Sequence, residues 1–160
     1  MGMRRLLWLC LRFAALAGCT ETAGEIPADA AAEIPEEKYI ALTFDDGPRR
    51  DTTGRLLDGL KERNVPATFF LIGQQLEENQ DLVKRMQEEG HQVGSHTWSH
   101  VRLLGISSET VLEEVNRTDE MLEEILGEGE YWLRPPYGAV DDSDKKLIPV
   151  PMIKWSIDPR

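Results

Sequence analysis

The stretch Thr43-Phe44-Asp45-Asp46-Gly47-Pro48 places two adjacent carboxylates directly after the apolar run YIAL of residues 39–42. The run predicts a strand over residues 39–44, and the letters Asp, Gly and Pro are typical of a turn. Two neighbouring acids at the end of a buried strand repel each other and lose solvation. A simple turn and a functional pair of carboxylates are both open at this point, and the rest of the chain has to decide between them.

Strand and helix patterns alternate along the chain from residue 38 onward. Asn79 is a candidate cap for the second helix, and Ser107 or Ser108 for the third. The alternation predicts an α/β fold made of about five parallel βα units. The predicted strands are residues 39–44, 67–73, 91–96, 131–134 and 150–157, and the predicted helices are residues 52–64, 79–90, 107–127 and 141–147.

Polar clusters follow four of the predicted strands. The acidic pair follows the first strand, His96 and His100 follow the third, Arg134 and Tyr137 follow the fourth, and Asp158 follows the fifth. Because parallel βα units place their chemistry at the carboxyl ends of the strands, these side chains are expected on one edge of the sheet.

The histidines of the segment HTWSH, residues 96–100, are four positions apart. On a helical turn that spacing puts both imidazoles on one face. Two imidazoles and one carboxylate, from Asp46 or Asp45, make a three-ligand zinc site with one position open for water. The second carboxylate would then be free to act as a base. The remaining histidine, His91, is expected to have a structural or surface role.

Four motifs in order carry a family resemblance: TFDDGP at residues 43–48, HTWSH at 96–100, RPPYG at 134–138 and WSIDPR at 155–160. Over residues 38–160 the chain resembles the NodB-homology polysaccharide deacetylases, carbohydrate esterase family four. The resemblance implies a distorted (β/α) barrel, present here in incomplete form. It also implies hydrolysis of acetyl groups from N-acetylated glycans such as peptidoglycan or chitin.

The resemblance assigns a role to each motif residue. Asp45 is the base, while Asp46, His96 and His100 bind a divalent metal, usually zinc and sometimes cobalt. The backbone N–H of Tyr137 stabilises the oxyanion, and Arg134 holds the Asp45 carboxylate in place. Trp98, Tyr137 and Trp155 offer apolar faces to a sugar ring, although Trp155, inside a predicted strand, is expected in the core.

The fourth motif stops at Arg160, before the Asp-Trp pair and the later general-acid histidine that the family carries. A C-terminally truncated deacetylase domain is therefore the leading expectation. The alternative is a non-catalytic, carbohydrate-binding envelope lipoprotein.

The N-terminus predicts export. Two arginines precede an apolar run of roughly a dozen residues, which is typical of a signal peptide over residues 1–18. Leu16-Ala17-Gly18-Cys19 resembles a bacterial lipobox, which implies lipidation of Cys19 and anchoring in the membrane; an ordinary signal peptide is the alternative. Residues 19–37 then form a linker, and residues 38–160 the folded domain, facing outside the cytoplasm. The formal charge of −11 disfavours nucleic acid as a partner.

Overall fold

The structure is a computed structural model that describes residues 39–158. The predicted signal peptide, the predicted lipidation site at Cys19 and the predicted linker lie outside the described residues, as do the last two residues of the chain. None of the helices within residues 39–158 has the length and apolar character needed to cross a membrane.

The centre of the fold is a parallel sheet with the strand order β1-β2-β3. Its strands are β1 (Thr43–Gly47), β2 (Thr68–Leu71) and β3 (Gln92–Ser95). The chain returns to the sheet twice more, through single parallel bridges that join Ser95 to Leu133 and Leu133 to Met152. The sheet therefore extends in chain order, as the alternating pattern predicts for βα units.

Three amphipathic helices connect and cover these strands: α1 (Thr53–Glu62), α2 (Gln80–Glu88) and α3 (Ser108–Leu126). Each buries residues at helical spacing, for example Val111, Val115 and Leu122 on α3. Short 3₁₀ turns lie at Gly73–Gln75, Glu77–Asn79, Pro136–Gly138 and Asp144–Lys146. Leu57, Phe69, Leu71, Val83, Met86 and Leu122 meet in the largest cluster of the core.

Several sequence-based boundaries were wrong. β1 begins at Thr43, and Tyr39 and Ile40 before it are 82% and 86% exposed. Residues 131–134 and 150–157 make single bridges instead of strands. Tyr131 and Leu133 are buried in the first segment, and Val150 and Met152 of the second are half-buried against the core. Such packing produces an apolar pattern without a hydrogen-bonded ladder. The predicted helix at 141–147 is one 3₁₀ turn, Asp144–Lys146.

Two predicted caps had different outcomes. Ser107, and not Ser108, caps α3, because its side chain accepts a hydrogen bond from the Thr110 N–H. Asn79 precedes α2 but does not cap it, since its Nδ2 instead donates to the Gln75 carbonyl at 2.7 Å. The predicted α/β class with parallel βα units is confirmed, and the arrangement is compatible with a partial barrel.

Candidate metal centre

The two acids of the opening stretch reach one cleft because β1 bulges between them. Phe44 pairs with Phe69 and Gly47 with Leu71, so Asp45 and Asp46 together lie opposite a single residue of β2. Asp46 adopts φ 65°, a left-handed conformation that aspartate tolerates better than most residues. In a regular strand, adjacent side chains point to opposite faces. The bulge allows both carboxylates to line the same cleft of about 560 Å³.

Asp46, His96 and His100 converge in that cleft. Asp46 Oδ1 lies 3.5 Å from His96 Nε2 and 3.2 Å from His100 Nε2. One potential ligand atom from each residue lies within 4.8 Å of the other two. Ligand atoms about 2.0–2.1 Å from a tetrahedral zinc ion are about 3.3 Å apart, so these two separations fit such a site. The three residues form a group that could hold a divalent metal.

The ring of His96 is oriented by the backbone of segment 131–134. Its Nδ1 lies 2.6 Å from the carbonyl oxygen of Arg134. An N–H at Nδ1 that donates to this oxygen leaves the Nε2 lone pair facing Asp46. Burial of the ring lowers the pKa of His96. A low pKa favours the neutral imidazole, which is the form that binds metals.

The two histidines are not on a helical turn, as their spacing predicted. Residues 96–100 form an irregular loop in which Thr97 has φ 67° and His100 φ 60°. These two left-handed residues redirect the chain so that the imidazole rings lie 4.9 Å apart, centre to centre. The His-x-x-x-His spacing identified the pair, but the loop brings the rings together by a different route.

Asp45 has a different partner from its neighbour. Arg134 Nη1 donates to Asp45 Oδ1 at 2.7 Å and to Thr43 Oγ1 at 2.8 Å. The Arg134 side chain is 2% exposed, and its guanidinium lies 4.0 Å from the centre of the Phe70 ring. The hydrogen bond between Arg134 and Thr43 was not predicted. Thr43 and Asp45 are two positions apart at the start of a strand, and residues at that spacing share a face. Spacing of that kind is the signal that could have found it.

Aromatic residues border the cleft. Tyr137 has φ 59° in the PYG turn and packs its ring edge-on against His100, with 5.1 Å between ring centres. Trp155 was expected in the core but is 42% exposed and lines the cleft with Ile157 and Asp158. The segment that carries Trp155 meets the sheet in a bridge between Leu133 and Met152. Just after that bridge, the Arg134 guanidinium donates to the carbonyls of Ile153 and Lys154, both at 3.4 Å, which places Trp155 beside the cleft. Trp98 lies elsewhere, under the guanidinium of Arg117.

His91 lies away from the cleft. It is buried, and its Nδ1 accepts a hydrogen bond from the Ala67 N–H at 3.2 Å. Its ring packs edge-on against Phe69, and burial lowers the pKa of His91. The residue therefore ties the start of β3 to the segment before β2.

Comparison with known proteins agrees with the fold and with the first three motifs, which lie within the matched residues. The profile of the polysaccharide deacetylase family matches residues 32–148. Over 129 residues the chain is 45% identical to the peptidoglycan-N-acetylglucosamine deacetylase PgdA of Listeria monocytogenes serotype 1/2a (strain 10403S), covering 79% of this chain and 28% of PgdA. It is 38% identical over 142 residues to a chitooligosaccharide deacetylase of Rhizobium leguminosarum bv. trifolii, covering 85% of this chain and 64% of that protein.

Among solved structures, the peptidoglycan deacetylase PdaC of Bacillus subtilis aligns with a TM-score of 0.75 and 39% sequence identity, over 78% of this chain and 62% of PdaC. The chain thus spans less than two thirds of the length of each of these relatives. The chain belongs to the polysaccharide deacetylase family, which confirms the resemblance carried by the motifs.

Proposed function

We propose that this protein removes acetyl groups from N-acetylglucosamine residues of a peptidoglycan or chitin-type glycan, with a divalent cation held by Asp46, His96 and His100. One observation carries the proposal: the two adjacent carboxylates have separate partners. Asp46 lies against both imidazoles, whereas Asp45 is held by Arg134. The substrate class is supported by two relatives, a peptidoglycan-N-acetylglucosamine deacetylase and a chitooligosaccharide deacetylase.

Zinc suits two imidazole nitrogens and one carboxylate, and cobalt can take a similar ligand set. When bound, such a cation supplies Lewis acidity, which lowers the pKa of water and stabilises negative charge that develops on the acetyl oxygen.

The chain itself supplies proton transfer and orientation. The Asp45 carboxylate accepts the proton of the attacking water, and Arg134 keeps that carboxylate aimed at the cleft. The backbone N–H of Tyr137 donates to the acetyl oxygen as its negative charge grows. The water oxygen forms a bond to the acetyl carbon and the amide C–N bond breaks. The leaving nitrogen takes the proton that Asp45 accepted from the water, so acetate and the free amino sugar are released. The exposed rings of Tyr137 and Trp155 offer apolar faces on which a sugar ring can pack.

The proposal is tested by acetate release from chito-oligosaccharide and from N-acetylated peptidoglycan in the presence of zinc. Replacing Asp45 by Asn should lower kcat about 10²–10⁴-fold and leave zinc binding intact, because the variant loses the base but keeps the ligands. Replacing Asp46 or His96 by Ala should abolish both zinc binding and acetate release. Asp51→Asn, an exposed acid in the following turn, is the matched control and should behave as the wild type. Acetate release that proceeds at the wild-type rate in Asp45→Asn, or that does not depend on a divalent metal, would contradict the proposal.

We also propose that the protein is exported and anchored to the outer face of the bacterial membrane through lipidation of Cys19. The support is the sequence alone, a signal-like run followed by Leu16-Ala17-Gly18-Cys19. Labelling with radioactive palmitate should mark the wild type and not Cys19→Ser, with Cys10→Ser as the control. Equal labelling of both variants would exclude this site.

A further inference from the structure

We propose that Glu114, on α3, is a positioning residue for the metal centre: it holds the ligand loop, residues 97–99, which joins His96 to His100. None of the four motifs includes this residue. The inference rests on the proposed metal site, because its function is to keep the second imidazole in place.

Glu114 accepts three hydrogen bonds from the ligand loop. Its Oε2 accepts from the Ser99 N–H at 2.7 Å and its Oε1 from the Ser99 hydroxyl at 2.7 Å. Its backbone carbonyl accepts from the Trp98 N–H at 3.0 Å. The two side-chain bonds are short and charge-assisted, so they are the stronger kind. Because Ser99 immediately precedes His100, the position of Ser99 determines where the backbone of His100 lies and so where its imidazole can reach.

On its other side, the ligand loop is hydrogen-bonded to the main chain of residues 73 and 74. The N–H groups of Gly73 and Gln74 donate to the carbonyls of Thr97 and Trp98, both at 3.0 Å. Trp98 packs so closely that a Cβ on Gly73 would lie 2.4 Å from its ring. These contacts fix residues 97 and 98, whereas the Glu114 side chain holds Ser99. The Glu114 carboxylate thus holds Ser99, the last residue of the loop before His100.

The ligand loop needs such support because its backbone is strained. Thr97 and His100 have φ of 67° and 60°, a region that residues with a Cβ rarely occupy. Without the Glu114 bonds the loop would spend time in other conformations, in which His100 does not face Asp46. The apparent metal affinity then falls by the fraction of molecules that retain the competent arrangement.

The main test replaces Glu114 by Gln, which keeps the size of the side chain but removes its charge and one acceptor oxygen. We expect the Kd for zinc, measured by competition with a chromogenic chelator, to rise about tenfold, the lower end of what outer-sphere partners of metal ligands typically contribute. Ser99→Ala, which keeps the N–H, should raise the Kd by a smaller factor. The double variant should fall short of the product of the two factors, because both changes remove one shared contact. Glu113→Gln, an exposed neighbour on α3, is the matched control and should leave the Kd unchanged.

A second measurement needs no metal. In the metal-free protein, the Ser99 amide should exchange its hydrogen faster in Glu114→Gln than in Glu113→Gln, while circular dichroism shows both variants folded. If Glu114→Gln does not fold, Ser99→Ala decides the question, and an unchanged Kd in that variant overturns the inference. A Kd within twofold of the wild type in folded Glu114→Gln also overturns it. A wild-type protein that ignores zinc would instead overturn the proposed metal site.

Discussion

Arg134 belongs to both halves of the candidate site. Its side chain holds the Asp45 carboxylate, and its main-chain carbonyl lies 2.6 Å from His96 Nδ1. Any shift of this residue would therefore move the proposed base and a proposed metal ligand together. The guanidinium is fixed by the Phe70 ring beneath it and by Thr43 beside it. Arginine suits this position because its planar group can stack and donate hydrogen bonds at the same time.

Asp119, on α3, is an acid in an unfavourable environment. Burial, and secondly the negative charge of Glu123 one turn later, raise the pKa of Asp119 from 3.8 to about 7. Within residues 39–158 its Oδ1 has no hydrogen-bond partner. Folding thus makes this carboxyl retain a proton that the unfolded chain releases. The contribution of Asp119 to the free energy of unfolding is complete below about pH 4 and is lost as the pH rises through about 7.

Replacing Asp119 by Asn should therefore stabilise the protein at alkaline pH. We expect the free energy of unfolding of Asp119→Asn to exceed that of the wild type by about 1–3 kcal/mol at pH 8, because the variant buries no charge. The difference should shrink as the pH falls toward about 5. Urea unfolding at several pH values measures it, with the exposed Glu120→Gln as the control. A difference that does not change with pH would show that Asp119 titrates normally.

At the scale of elements, the start of α3 offers a sharp test of capping. The Ser107 side chain accepts from the Thr110 N–H, one of the helix N–H groups that lack a partner within the helix. Ser107→Ala should lower the free energy of unfolding by about 1 kcal/mol, whereas Ser107→Gly, which suits the cap conformation, should cost a few tenths. Thermal or urea unfolding of the two variants measures the difference. Equal losses in both would mean that the hydroxyl does not act as a cap.

The three long helices were predictable from sequence, whereas the helix predicted at 141–147 and the later strands were not. The signal for α1, α2 and α3 lies within each segment, as apolar residues at helical spacing closed by Gly or Asn. A strand also needs a partner at hydrogen-bonding distance, which no segment reveals on its own. The segment 131–134 thus has a strand-like pattern but meets its two neighbours through one bridge each, both at Leu133.

The site was predictable in its members but not in its geometry. Parallel βα topology explains why Asp46, His96 and Arg134 lie at one edge of the sheet, because each is at the carboxyl end of a parallel strand segment. The bulge in β1 and the left-handed conformations of Thr97 and His100 could not be predicted, because they depend on tertiary contacts and not on the local sequence alone. Glu114 could not be found from sequence, since it is one of many acids on the surface of α3 and its partner is fifteen positions away.

At the scale of the whole molecule, the candidate site joins segments that are distant along the chain. Asp46 lies on β1, whereas His96 follows β3 at the other edge of the three-stranded sheet. Arg134, from the next segment, reaches back to Thr43 and Asp45 on β1. The sheet must curl for these contacts to form, as the strands of a barrel do. A cation at this place would bridge the first strand and the third.

Zinc should therefore stabilise the whole fold and not merely its loops. A ligand that binds the folded state alone adds about 2.7 kcal/mol to the free energy of unfolding at a concentration of 100 times its Kd. For a domain of about 120 residues, that corresponds to a rise in Tm of roughly 10 °C. Calorimetry with zinc and with excess chelator measures this shift in Tm. His96→Ala and Asp46→Ala should abolish the shift. The control is His91→Gln, at the buried histidine outside the cleft, which should retain the shift. A Tm that zinc leaves unchanged in the wild type, or raises equally in His96→Ala, would mean that the cation does not link β1 to the end of β3.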